Sequence, residues 1–174
     1  MKTPALPLPL TNALVEHVAR QFDMPDLVLP FWGYRKKTPL HRIVRLEGEG
    51  NYTLFHFSDG TQLMVSLTLK KMESRLPPKV FVRPHKRSII NLLYVADMLH
   101  DSTESDWDAP VYSATAPTRK ATGRSRQPLR VRLVNGDRVD VSRRKASRFI
   151  KQVVGFRQEI LTFNAVSTPA ERAY

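Results

Sequence analysis

From Leu40 onward, apolar and polar side chains alternate along the chain, and this alternation limits the fold more than any other feature of the sequence. Val44 and Leu46 flank Arg45, and residues 52–57 continue the pattern. A period of two residues turns successive side chains to opposite faces of a β-strand. The chain is therefore predicted to be mainly β.

Two glycine-containing turns predict β-hairpins within this region. Ser58-Asp59-Gly60 separates the first alternating segment from residues 61–65, and Asn135-Gly136 lies between residues 129–133 and 139–141. Asn-Gly is favoured in two-residue hairpin turns because both central residues need positive φ angles. Each turn is expected to join two antiparallel strands.

Short helices are predicted around these strands. Thr11 is expected to cap a short N-terminal helix that Pro25 stops, and Ser66 to cap a second helix that runs to about Leu76. A third is expected after the second hairpin, where apolar residues recur at helical spacing in a basic segment. These apolar residues are Ala146, Phe149, Ile150 and Val153.

The composition divides the chain into one domain with flanking segments. Residues 1–38 are predicted to be an N-terminal appendage made of a short helix and a linker, with residues 30–38 as linker or docking strip. Residues 39–157 are the expected domain, and residues 158–174 a C-terminal tail. Residues 99–128 carry equal numbers of acidic and basic side chains among Ser, Thr, Ala and Pro. Such a stretch has little to bury and is predicted to be a disordered insertion.

The charge balance points to an anionic partner. The formal net charge is +12 and the isoelectric point is about 10.4, and a field of that sign attracts polyanions such as nucleic acid. No segment approaches the roughly 18 apolar residues that span a bilayer, and no secretory signal pattern opens the sequence. A cytoplasmic protein without a membrane partner is expected.

The sequence offers little chemistry for catalysis. There is no cysteine, which excludes disulfides, thiolate metal sites and thiol nucleophiles. Glu47 and Glu49 could suggest a carboxylate pair, but the surrounding basic surplus and the lack of a nucleophile motif argue against one. His85 has no second ligand at metal-binding spacing and is expected to form a structural hydrogen bond. We therefore expect no enzyme, no cofactor and no metal.

Four segments of the sequence are informative when taken together: Glu47-Gly48-Glu49-Gly50-Asn51-Tyr52, Ser66-Leu67, residues 81–91, and Asn135-Gly136 followed by Val141-Ser142-Arg143-Arg144. In kind and order they resemble the LytTR family of bacterial response-regulator output domains, which bind DNA. The resemblance spans about residues 40–155, interrupted at 99–128. It implies an elongated fold of small packed antiparallel β-sheets, whose loops enter successive major grooves of duplex DNA.

The resemblance also implies where DNA is read. Family members read their sites from the turn that corresponds to Asn51-Tyr52, from the residue after the motif histidine, here Lys86, and from the arginine after the motif serine, here Arg143. Basic residues next to these positions extend this set. The full predicted DNA-binding set is Asn51, Tyr52, Lys86, Arg87, Arg143, Arg144 and Lys145.

Each of these residues also has a plainer interpretation. Arg143 could be a solvated residue at a helix start, and Lys86 could contact either a base edge or a phosphate. Asn51 and Tyr52 could supply only the turn and aromatic packing. One departure from the family pattern affects Arg87, which takes the place where a serine is usual, with Ser88 after it; Arg87 is expected on a phosphate or packed against the fold.

The sequence therefore predicts a sequence-specific regulator of transcription that binds double-stranded DNA as two copies on repeated half-sites. The segment before residue 39 is too short for a receiver domain, so phosphorylation within the chain is not expected, and this segment could instead contact a sensor protein. One alternative is a nucleic-acid module without sequence preference. Another is a protein-interaction adaptor that docks through Phe31, Trp32 and Tyr34.

Overall fold

Three antiparallel β-sheets make up the architecture of this protein. The computed structural model describes residues 12–31, 34–100 and 129–166. Within these ranges the strands form sheets of two, three and five members, which confirms the prediction of a mainly β fold built from small antiparallel sheets. In chain order the elements are α1 (Asn12–Gln21), β1 (Asp26–Phe31), β2 (Tyr34–Pro39), β3 (Ile43–Glu49), β4 (Tyr52–Phe57), β5 (Gln62–Val65), α2 (Leu69–Glu73), β6 (Phe81–His85), β7 (Ser88–Asn91), β8 (Val95–His100), β9 (Leu129–Leu133), β10 (Arg138–Val141) and α3 (Ala146–Val166).

The five-stranded sheet has the order β5-β4-β3-β7-β6. The predicted hairpin at Gly60 joins β4 to β5, and this glycine has a φ of 81°. Strand β3 lies at the centre, where Leu46 pairs with Phe55 on one side and with Ile89 on the other. All three side chains are buried. Because residues in register share a face of the sheet, they form one layer of the hydrophobic core.

The three-stranded sheet has the order β10-β9-β8. The predicted Asn-Gly turn joins β9 to β10, with Gly136 at a φ of 88°. Val131 and Val139 pair across this hairpin and are buried. The buried Arg157 of α3 donates hydrogen bonds to the carbonyl oxygens of Val95 (3.2 Å) and Ala96 (3.0 Å). These bonds fix the helix to the start of β8.

The segment predicted to be a linker is a β-hairpin instead. Strands β1 and β2 pair over their whole length, and Leu27 and Leu29 are buried in the core. Pro30 suggested a linker, but an edge strand tolerates a proline because its outer backbone has no partner strand. The side chains expected to form a docking strip at residues 31–34 lie outside the described part of the chain.

Both terminal helices join the common core. Val15 and Val18 of α1 are buried, although the sequence suggested an appendage. Helix α3 crosses the boundary expected at residue 157 and continues to Val166. It does so because Phe156 and Ile160 extend the apolar spacing of its first turns, and both are buried. The expected C-terminal tail therefore begins within a helix.

Helix α2 is shorter than the sequence predicts. Its N-cap is Thr68, whose Oγ1 accepts a hydrogen bond from the Lys71 backbone N–H at 3.4 Å. Ser66 does not cap the helix, because the residue after it is bonded to β4 instead. There, Thr53 Oγ1 donates to the Leu67 carbonyl oxygen at 2.7 Å. Strand β8 takes in the first two residues of the predicted insertion, and residues 101–128 lie outside the described ranges.

Candidate nucleic-acid interface

Two tight turns lie side by side at one end of the five-stranded sheet. The β3–β4 turn contains Gly50, with a φ of 60°, and the β6–β7 turn consists of residues 86–87. The Gly48 backbone N–H donates to the Arg87 carbonyl oxygen at 2.8 Å. The Arg87 Nη2 atom also lies 3.3 Å from Glu49 Oε1. These contacts bring together two predicted reading elements that are distant in sequence.

The predicted residues on both turns are open to solvent. Asn51, Tyr52, Lys86 and Arg87 are all exposed, and Tyr52 keeps 49% of its surface accessible. Tyr52 is therefore not a core aromatic residue. Its ring and the Asn51 amide are both accessible to a ligand placed against this end of the sheet.

The arginine that departs from the family pattern lies in the turn itself. Arg87 is not packed inside the fold, because 60% of its side chain is exposed. Its backbone nitrogen lies 3.4 Å from His85 Nδ1, so His85 has the structural role expected for it. Ser88 pairs with His85 as the first residue of β7. The turn thus presents two adjacent basic side chains, those of Lys86 and Arg87.

The third predicted element, the loop between β10 and α3, lies against β6. The Ser142 backbone N–H donates to the Pro84 carbonyl oxygen at 3.0 Å. Lys145 Nζ donates to the Arg83 carbonyl oxygen at 2.9 Å. Arg143, Arg144 and Lys145 are exposed. Strand β6 therefore connects this loop with the turn at residues 86–87.

Arg83 behaves differently from the other bases of its segment. Its guanidinium donates to Glu73 Oε2 at 2.7 Å and to the Lys86 carbonyl oxygen at 2.6 Å. Only 19% of its side chain is exposed. Arg83 lies in the same basic segment of the sequence as Lys86 and Arg87, and no local pattern separates an inward arginine from an outward one.

A charged cluster joins the two larger sheets beside this surface. Arg45 of β3 donates to Asp137 in the β9–β10 turn at 2.6 Å and to Glu47 at 2.7 Å. His56 of β4 is buried, and its Nε2 lies 3.4 Å from Glu47 Oε2. Its Nδ1 lies 3.3 Å from the amide nitrogen of Gln62. The sequence does not reveal this cluster, because Arg45 and Asp137 lie far apart along the chain.

Three members of the cluster have lowered pKa values, whereas the pKa of Arg45 is raised because the effect of burial is outweighed by its hydrogen bonds to Asp137 and Glu47. The hydrogen bond from Arg45 lowers the pKa of Glu47. Burial alone would raise the pKa of Asp137, but hydrogen bonds from Arg45 and Asn135 outweigh it and lower that pKa. Burial, followed by the charge of Arg45, lowers the pKa of His56. The cluster is therefore most stable with both carboxylates ionised and the imidazole neutral.

Among residues 12–31, 34–100 and 129–166, no three His, Asp or Glu side chains are grouped so that they could hold a metal ion. No helix in the described part of the chain has the length and apolar character needed to cross a membrane.

Comparison with known proteins agrees with the geometry. Residues 35–106 match the LytTr DNA-binding domain. This LytTr region includes the turns at residues 51–52 and 86–87, whereas the loop at 143–145 lies beyond it. The match confirms the resemblance found in the sequence. The LytTr family is a family of DNA-binding domains. No curated protein sequence matches the chain.

A solved structure extends the likeness beyond the LytTr region. The chain is similar to the LytTr DNA-binding domain of a Bacillus cereus protein described as a methyl-accepting/DNA response regulator, with a TM-score of 0.52 and 20% sequence identity. The similarity covers 74% of this chain and 96% of the other. At this identity the likeness establishes a shared fold, and it confirms the expected LytTr-like architecture.

Proposed function

We propose that this chain regulates transcription by binding duplex DNA sequence-specifically through the turns at residues 51–52 and 86–87 and the loop at 143–145. The adjacency of these three elements carries the proposal. The β3–β4 turn is bonded to the β6–β7 turn through Gly48 and Arg87, and the third element is bonded to β6 through Ser142. A surface assembled in this way can contact one stretch of duplex.

The chemistry of this surface suits both affinity and sequence choice. Five of its seven predicted residues are exposed lysines or arginines. Such cationic side chains, placed at turns, can reach phosphates without disturbing the strands. A guanidinium such as that of Arg143 can bond to O6 and N7 of guanine, which discriminates between bases by about 1–3 kcal/mol. Asn51 can offer an amide to an adenine edge in the same way. Phosphate contacts would supply affinity, and these side chains would supply specificity.

The proposal includes how the protein acts in the cell. It acts by binding and not as an enzyme, and its DNA partner places it in the cytoplasm. Two copies occupy repeated half-sites about one helical turn, or about 10 base pairs, apart. Contact of the N-terminal segment with a sensor protein stays a prediction, because no feature of α1 identifies such a partner.

Selection of binding sites from random duplex DNA tests this function. The selection is made at about 150 mM salt with excess competitor, since binding that depends only on phosphate charge is greatly weakened there. Recovery of a repeated motif with a spacing of about 10 base pairs would support the proposal. A shuffled duplex of the same base composition is the matched control.

A different outcome would favour the alternative module without sequence preference. In that case no motif is enriched, the shuffled duplex binds as well as any selected one, and affinity disappears as salt rises. The basic surface alone would account for such behaviour.

A further inference from the structure

We propose that Arg83 is a positioning residue of the DNA interface: it holds the turn that carries Lys86 and does not itself contact DNA. This inference rests on the proposed function, because it assigns a role relative to the reading turn. Arg83 lies in the same basic segment as Lys86 and Arg87, so its side chain would ordinarily be counted as a third phosphate contact.

The contacts of the guanidinium support the positioning role. One terminal nitrogen donates to the Lys86 carbonyl oxygen at 2.6 Å, and the other donates to Glu73 Oε2 at 2.7 Å. Nε is buried and has no hydrogen-bond partner among the described residues. With 19% of its side chain exposed, against 60% for Arg87, Arg83 has little surface left for a phosphate.

The backbone explains why this turn needs a side-chain support. Val82 pairs with Ile90 and His85 with Ser88, so residues 83–84 together oppose a single residue of β7. This is a β-bulge, which interrupts the hydrogen-bonded ladder. Pro84 also lacks a backbone N–H. The turn is therefore weakly attached by its own strands, and the bond from Arg83 to Lys86 supplies a further connection.

Arg83 also connects this turn with the third reading element. Its carbonyl oxygen accepts a hydrogen bond from Lys145 Nζ at 2.9 Å, while its side chain bonds to Lys86. One residue thus contacts two of the three elements that are proposed to read DNA. The planar guanidinium has diverging N–H groups and can bond to two separate acceptors at once, which an ammonium group on a flexible stem does less well.

The experiment compares Arg83→Met, Arg83→Lys and Lys86→Met in the full chain. A first readout is backbone amide exchange of residues 85–88 in the absence of DNA. We expect exchange in Arg83→Met to accelerate about tenfold or more, because the turn loses its side-chain attachment. Lys70→Met, on the exposed face of α2, is the matched control and should leave exchange unchanged. Unchanged exchange in Arg83→Met would overturn the positioning role whatever the protein binds.

A second readout is binding to the selected DNA site. We expect Arg83→Met to lose discrimination at the base pair opposite Lys86 by about fivefold or more, while the slope of log affinity against log salt stays constant. Arg83→Lys should not restore discrimination, because it returns the charge but not the two-acceptor geometry. The double variant with Lys86→Met should be little worse than Lys86→Met alone, since coupled residues act non-additively.

The opposite pattern identifies a direct phosphate contact and overturns the proposal. In that pattern Arg83→Met lowers the salt slope by about 0.9, the value for one phosphate, Arg83→Lys restores it, and the effects of Arg83 and Lys86 add. If Arg83→Met fails to fold, Glu73→Ala removes one partner of the guanidinium and should accelerate exchange in the same residues. Failure of the proposed function itself appears separately, as a wild-type protein that selects no DNA motif.

Discussion

Arg143 and Lys151 carry the same charge, but we expect them to contribute differently to DNA binding. Arg143 lies in the loop beside β6, and Lys151 is exposed on α3. Arg143→Ala should relax the choice at one base pair by about 1–3 kcal/mol. Lys151→Ala should lower the affinity for all DNA sequences alike. It should also reduce the slope of log affinity against log salt by about 0.9, the value for one phosphate contact. Affinities for single-base variants of the selected site, measured at several salt concentrations, check this division, and equal effects of the two substitutions would contradict it.

Asn91 shows how one buried polar side chain stabilises the fold. It is fully buried, its Nδ2 donates to the Ile43 carbonyl oxygen at 2.8 Å, and its Oδ1 accepts from the Leu93 N–H at 3.0 Å. Asn91→Ala leaves both backbone groups without this partner and should lower the free energy of unfolding by about 2–3 kcal/mol. Urea denaturation measures the loss. Asn51→Ala, at an exposed turn, should change stability by less than about 0.5 kcal/mol; comparable losses would show that burial is not the cause.

At the scale of elements, the first and last helices stabilise each other through aromatic contact. The rings of Phe22, just after α1, and Phe156 of α3 have centroids 5.4 Å apart and are tilted by 41°. Phe156→Ala should cost about 3–5 kcal/mol of unfolding free energy, as expected for a buried phenylalanine. The pair should also show a coupling energy of about 0.5–1.5 kcal/mol in a double-mutant cycle with Phe22→Ala.

The matched control for this cycle pairs Phe22→Ala with Phe55→Leu. Phe55 is equally hydrophobic but belongs to the five-stranded sheet, where its ring stacks on Phe57 at 6.2 Å. These two substitutions should add. If the effects of the Phe22 and Phe156 substitutions on the free energy of unfolding add as well, the residues after α1 do not stabilise α3. They would then be an appendage, as the sequence suggested.

At the scale of the whole molecule, the cluster that joins the two larger sheets makes stability depend on pH. The pKa values of Glu47, Asp137 and His56 are all lowered in the fold. The unfolded chain therefore binds more protons than the folded chain, so stability rises with pH. The contribution of His56 is complete above its unfolded pKa of about 6.5 and is lost as pH falls through its folded value. The contributions of the carboxylates are lost in a second step, below about pH 4.

Urea midpoints at pH 7.5, 5.5 and 3 measure this dependence. We expect the midpoint to fall at each step. His56→Gln should flatten the step between pH 7.5 and 5.5, because the substituted side chain cannot take up a proton. Asp137→Asn should reduce the fall in midpoint below pH 5.5 and leave the fall between pH 7.5 and 5.5 nearly unchanged. A wild-type midpoint that is constant between pH 7.5 and 5.5 would contradict the lowered pKa of His56.

The sequence by itself determined the strands β3, β4, β5, β9 and β10, their hairpin turns and the family resemblance. These features are local: alternation at Val44 and Leu46 selects β structure, and glycines at positions 60 and 136 select the hairpin turns. Each depends on residues within a few positions of one another, so the sequence contains enough information to predict it. The predicted reading positions came from the family resemblance and not from periodicity.

Only the tertiary structure decided which of these local pieces meet. The pairing of β3 with β7 places Arg87 beside Glu49, and the packing of β10 on β6 places Lys145 beside the Arg83 backbone. The fold also brings the Arg83 guanidinium to Glu73 and joins Arg45 to Asp137. Contacts between residues far apart in the chain depend on how whole sheets bury their apolar faces together, and no short window of sequence contains that information.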